Sequence, residues 1–111
     1  MAYDIELAQR VREMLTFDAD VVEKKMFGGL AFLIGGHMAV GISGGGGLLM
    51  RAPADETEEL LSQPHVEPFV MRGRAMSGWV RVDAEGVVQD DDLKRWVEAG
   101  VGFARSLPPK S

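Results

Sequence analysis

Arg72, Arg74, Trp79 and Arg81 are the residues of this sequence best suited to recognition chemistry. They lie between Pro68 and Val82, a stretch of charge +3 with no acid, in a chain of 111 residues whose formal charge is −5. A guanidinium is a planar fork of donors that matches carboxylates and phosphates. Arginine beside an exposed aromatic is a composition common at protein-contact hot spots. If residues 79–83 form a strand, Trp79 and Arg81 share one of its faces, and Arg72 and Arg74 sit on the loop before it. The same residues allow two readings. They form a contact surface, or the arginines pair with Asp83, Glu85 or nearby acidic helices while Trp79 packs inward.

Other chemistry finds less support. Cysteine is absent, which excludes disulfides, thiolate catalysis and Cys-ligated zinc. Nucleophilic catalysis needs an activated side chain beside a base, and the two histidines, His37 and His65, have no triad partners near them in sequence. Both read as turn or surface residues. The run Gly44–Gly47 lacks the Lys-Ser/Thr of a phosphate loop and reads as a hairpin connection. Asp55-Glu56-Thr57-Glu58-Glu59 and Asp90-Asp91-Asp92 lack calcium-loop spacing and suit helix starts instead. We therefore expect no catalytic residue, no cofactor and no metal.

The chain is long enough for one domain, residues 1–111, and folding should bury roughly two-thirds of the unfolded surface. Hydrophobic residues make up 46% and charged residues 26%, an ordinary globular composition. The acidic balance disfavours direct nucleic-acid binding, which needs clustered cations. The first residues carry acids where an export signal needs a basic start and an apolar run. A cytoplasmic location is expected. Met26 to Met50 contains no charged residue, but nine of its 25 positions are glycine, so it reads as strands and turns rather than a membrane span.

The elements that must position these residues follow from periodicity. Asp4 can cap a first helix whose apolar face is Leu7, Ala8, Val11, Met14 and Leu15. The segment Phe17 to Asp20 breaks it. Strands are predicted over Val21–Phe27, Leu30–Ile34, His37–Ser43 and Leu48–Arg51, with turns at Gly28-Gly29, Gly35-Gly36 and Gly44–Gly47. In the third strand, Met38, Val40 and Ile42 are expected on one side and Ala39 on the other. A short helix over Asp55–Ser62 offers Leu60 and Leu61 to the core. Two further strands, Glu67–Met71 and Trp79–Asp83, are joined by the segment 72–78. The last helix opens on Asp90–Asp92 and buries Leu93, Trp96, Val97, Gly100, Ala104 and Leu107. Gly100 and Gly102 are expected to allow close approach to the sheet. Met14, Met26, Met38 and Met50 recur every twelve residues, which reflects strand-plus-turn length and core packing. The expected fold is a two-layer α+β domain: an antiparallel sheet of about six strands with three helices, in the order α-β-β-β-β-α-β-β-α.

Several of these residues together resemble a known family. Glu23-Lys24-Lys25-Met26-Phe27-Gly28-Gly29-Leu30-Ala31-Phe32 is similar to the signature of the TfoX/Sxy amino-terminal domain. So are Gly41, Leu49-Met50-Arg51, Met76-Ser77-Gly78-Trp79-Val80-Arg81-Val82 and the closing Ala104 to Lys110. The resemblance implies an α+β fold of the type also seen in secretion chaperones. It implies mainly structural roles for Lys24, Lys25, Met26, Phe27, Gly28, Gly29 and Gly78. The family's regulators promote transcription of DNA-uptake genes with the cyclic-AMP receptor protein, and no catalytic activity is assigned to this domain. Those regulators carry a second, helical C-terminal domain, and a chain ending at Ser111 reads as a stand-alone member. Gly44–Gly47 departs from the polar or acidic hairpin expected there.

The expectation is a non-enzymatic regulatory or adaptor domain acting on a protein partner, with the transcription machinery as one candidate class. The alternative is a small-molecule or anion-binding domain, conceivably a minor enzyme, using Arg72, Arg74 and Arg81 with Lys24 and Lys25. Direct DNA binding is the third reading and the least supported. A homodimer is also open, since six strands in an open sheet leave two edges.

Overall fold

The computed structural model describes residues 4–16, 20–26, 28–44 and 46–108, with Met26 and Met71 described by their backbone alone. Phe17, Asp18, Ala19, Phe27, Gly45, Pro109 and Lys110 therefore lie outside the described residues. The elements run α1 (Ile5–Met14), β1 (Val21–Met26), β2 (Gly29–Ile34), β3 (His37–Ile42), β4 (Leu48–Arg51), α2 (Thr57–Leu61), β5 (Val66–Met71), β6 (Arg74–Val82) and α3 (Asp90–Ser106). Single 3-10 turns precede α2, at Ala54–Glu56, and α3, at Ala84–Val87. This is the α+β layout expected: six antiparallel strands and three helices.

The six strands form one sheet in the order β1-β2-β3-β4-β6-β5. The first four make a meander because each pair is joined by a short glycine-containing turn. At Gly35-Gly36 both residues have positive φ, 60° and 83°, the geometry of a tight two-residue hairpin. The chain then leaves the sheet through α2, and β5 returns at the far edge. β6 folds back from β5 into the gap beside β4, where Leu48 pairs with Val82 and Arg51 with Trp79.

All three helices lie on one face. Asp4 caps α1, accepting from the Leu7 amide at 3.0 Å, and Leu7 and Val11 turn inward. Leu60 and Leu61 from α2 and Leu93, Trp96 and Val97 from α3 join them. They pack on Leu30, Phe32, Val40, Ile42, Leu48, Met50, Val80 and Val82 of the sheet. Ion pairs tie the rim: Arg10 meets Asp90 at 2.8 Å, Arg105 meets Asp20 at 2.9 Å, and Arg12 holds both oxygens of Glu23 at 2.7 Å. The Arg12 hydrogen bond and charge hold the Glu23 carboxyl below the ordinary value of 4.5, against a smaller opposing effect of burial.

Four expectations need correction. Gly29 belongs to β2, so the first turn centres on Gly28. β3 carries a bulge: Phe32 pairs with Val40 but Leu33 with Met38, leaving Ala39 as the extra residue. Ala39 therefore packs with Ile34 and Ala104 on the helix side, and Met38 turns to the opposite face from Val40 and Ile42. The segment 74–78 is not a loop but the first half of β6, joined to β5 by the turn Arg72-Gly73. Its side chains are exposed on both sides, so no apolar alternation marks it. Gly100 does rest on the sheet, where a Cβ would come within 2.3 Å of the Ala39 carbonyl oxygen. Gly102 is exposed and a Cβ there would meet nothing within 4 Å.

Candidate interaction face

The side of the sheet opposite the helices carries its own small apolar cluster. Ala31, Met38 and Leu49 are buried in it, with Leu33, Phe69 and Trp79 half-buried around them, and every member comes from a strand. Met38 reaches over Gly41, whose missing side chain leaves the room: a Cβ there would lie 2.2 Å from the Met38 methyl carbon. Phe69 and Trp79 stack at 6.4 Å between centroids with a 54° tilt. The pairing register adds Val22 opposite Leu33 and Lys24 opposite Ala31 on this face.

The four sequence-predicted residues part company here. Trp79 and Arg81 do share a face, since Trp79 pairs with Arg51 and Arg81 with Leu49 across the β4–β6 ladder. Arg81 is engaged within the fold: it forms an ion pair with Glu67 and donates to the Gly46 carbonyl, fastening the β3–β4 connection to the sheet. Its partner is Glu67 on β5, not Asp83 or Glu85. Trp79 packs inward only by half. Arg72 and Arg74 sit at the end of the β5–β6 hairpin, exposed, and neither pairs with a carboxylate among the described residues. Arg72 takes φ +55°, so the Arg72-Gly73 turn places an arginine in the left-handed region.

Arg51 stands at the rim of this face, beside Trp79 and also against α3, and the sequence alone does not single it out. Its guanidinium carbon lies 5.6 Å from the Trp79 ring centre and 5.7 Å from that of Phe103 on α3. One of its nitrogens reaches His37 Nδ1 at 3.4 Å. His37 Nε2 meets the Pro108 carbonyl at 2.7 Å. Because arginine can only donate, Nδ1 accepts and Nε2–H donates. His65 also has a structural engagement, pairing through Nδ1 with Asp83 at 3.1 Å. Among the described residues no cluster of acids and histidines could hold a metal ion.

Residues 13–104 match the family model of the TfoX N-terminal domain. The chain belongs to that family. No curated protein and no solved structure matches it. The structure gives several TfoX N-terminal signature residues visible work. Gly78, with φ +85°, is buried in β6 and its carbonyl accepts from the Ala52 amide at 2.9 Å. Gly28 supplies the first turn, and Gly29 is buried with its Cβ position occupied by the Ile42 carbonyl. Lys24 and Lys25 are exposed on β1, Lys24 beside the apolar cluster. The side chain of Met26 and all of Phe27 lie outside the described residues. No helix among the described residues is long and apolar enough to cross a membrane.

Proposed function

We propose that this TfoX N-terminal domain is a non-enzymatic adaptor that binds another protein through the β5–β6 hairpin and the uncovered sheet face. The observation that carries the reading is Arg72. A bulky residue in the left-handed region costs about 1–2 kcal/mol, and Asn-Gly is the residue pair that a turn of this type favours. Arg72 accepts that cost at an exposed tip where its side chain has no partner among the described residues. Backbone strain retained without a structural return points to recognition. The engagement of both histidines with neighbouring groups supports a non-catalytic role. The anion-binding alternative loses Arg81, whose donors are committed to Glu67 and Gly46. The family's competence regulators suggest the transcription machinery as the partner class.

Capture of partners from native lysate, comparing the wild-type chain with Arg72→Glu/Arg74→Glu by mass spectrometry, tests this. A partner lost selectively from the variant is expected. Identical lists, or empty ones, would overturn the reading.

A further inference from the structure

We infer that Arg51, held between Trp79 of the uncovered sheet face and Phe103 of α3, is a carboxylate-recognising group at the rim of that face, and that the face takes an acidic, apolar segment of another protein. The inference rests on the protein-contact reading above and names the partner's chemistry. Arg10, Arg12, Arg81 and Arg105 each have a carboxylate within ion-pair distance. Arg51 is half-buried yet has none among the described residues; its polar contact is the long one to His37. Removing a guanidinium partly from water without a carboxylate is costly. Two aromatic rings within 6 Å offset part of that cost. Contacts from ring faces leave a guanidinium's in-plane N–H groups available, and those are the donors that match a carboxylate fork. Glu56 and Glu98 line a cavity of about 340 Å³ with Arg51 on the α2–α3 side, and neither comes within pairing distance.

Charge identifies the occupant. Glu56 and Glu98 lie across Arg51 in the α2–α3 cavity, while the uncovered face itself presents Lys24, has Arg51 at its rim and holds its acid Glu67 bound to Arg81. The face is therefore cationic in a chain of net charge −5. A second copy docking by the same face would bring like charges together. The half-buried Leu33, Phe69 and Trp79 and the exposed Val22 supply an apolar surround. A segment placing a carboxylate beside an apolar side chain satisfies both.

The test is selection of a random displayed peptide library on the full chain, in wild type, Arg51→Gln, Arg51→Lys and Arg72→Glu/Arg74→Glu forms. Wild type is expected to enrich peptides with Asp or Glu next to Leu, Phe or Trp. A synthetic consensus peptide should bind Arg51→Gln at least about ten-fold more weakly. Its Asn/Gln counterpart should lose about as much on wild type, and the two losses should not add. Arg51→Lys should recover part of the binding, which also excludes a folding defect. The indole resonance of Trp79 should shift on peptide addition to wild type. Enrichment of basic or uncharged peptides, or equal affinity in Arg51→Gln, would overturn the inference. Loss in the hairpin variant alone would remove Arg51 but leave the protein-contact reading standing. No enrichment in any form would count against both. Light scattering that showed a dimer dissolving in Arg51→Gln would make a second copy the occupant and overturn the acidic-segment assignment.

Discussion

Gly100 of α3 rests on the carbonyl of Ala39, the bulged residue of β3. A Cβ at Gly100 would sit 2.3 Å from that oxygen and 2.8 Å from a Val40 methyl carbon. Backbone cannot yield as a flexible side chain can, so the helix would have to lift from the sheet. Gly100→Ala should destabilise the domain by about 1–3 kcal/mol. Two positions on, Gly102 faces open space, and Gly102→Ala should stabilise by about 0.5–1 kcal/mol through helix propensity. Urea midpoints of the two variants should move in opposite directions.

The hairpin offers a separation of stability from binding. Arg72→Asn keeps the turn and relieves the left-handed arginine, so thermal unfolding should shift upward by the equivalent of about 0.5–1 kcal/mol. Partner capture should fall in the same variant. An unchanged midpoint would show that the turn does not carry the strain assigned to Arg72.

Arg81 should behave as a structural residue. Arg81→Met removes the Glu67 ion pair and leaves the Gly46 carbonyl without its donor, at a cost of about 1–3 kcal/mol. The Ser43 and Gly46 amides, which bond across the β3–β4 connection, should exchange with deuterium faster. Exchange unchanged in that connection would contradict the fastening role.

Glu23 gives the pH dependence. Its folded-state value is depressed by Arg12, so the pair contributes stability above the ordinary glutamate value of 4.5. That contribution fades as pH falls through the lower folded-state value. The pair is solvent-accessible, so its size should be under about 1 kcal/mol. Denaturant midpoints of wild type and Glu23→Gln should differ at pH 7 and draw together as pH falls below 4.5. A gap that widens on acidification would contradict the assignment.

The helices and the β1–β4 meander were legible because their apolar residues repeat with regular periods between glycine turns. The bulge at Ala39 was not, since an inserted residue leaves Met38, Val40 and Ile42 looking like unbroken alternation. The first half of β6 was hidden because Arg74 to Ser77 are exposed and show no alternation. Arg51 could not be recognised without the β4–β6 pairing, which skips a strand and places it opposite Trp79. The family signature contained Leu49-Met50-Arg51, and that was the available signal. Arg81 found its acid on β5 rather than in the nearer Asp83 or Glu85 for the same reason: long-range register, not sequence distance, chose the neighbour. Both sheet edges also read differently in place. β1 presents exposed Glu23, Lys24 and Lys25, and β5 carries Pro68, features that discourage edge pairing.

The contact surface we propose is the hairpin together with the sheet face without helices. Site-specific photo-crosslinking tests it most directly, with a benzophenone side chain placed at Val22, at Met76 or at Asp91, all exposed. Val22 lies on the uncovered face, Met76 in the hairpin and Asp91 at the start of α3. A captured partner should crosslink at Val22 and Met76 and not at Asp91. Crosslinking at Asp91 alone would place the contact on the helical layer and contradict it.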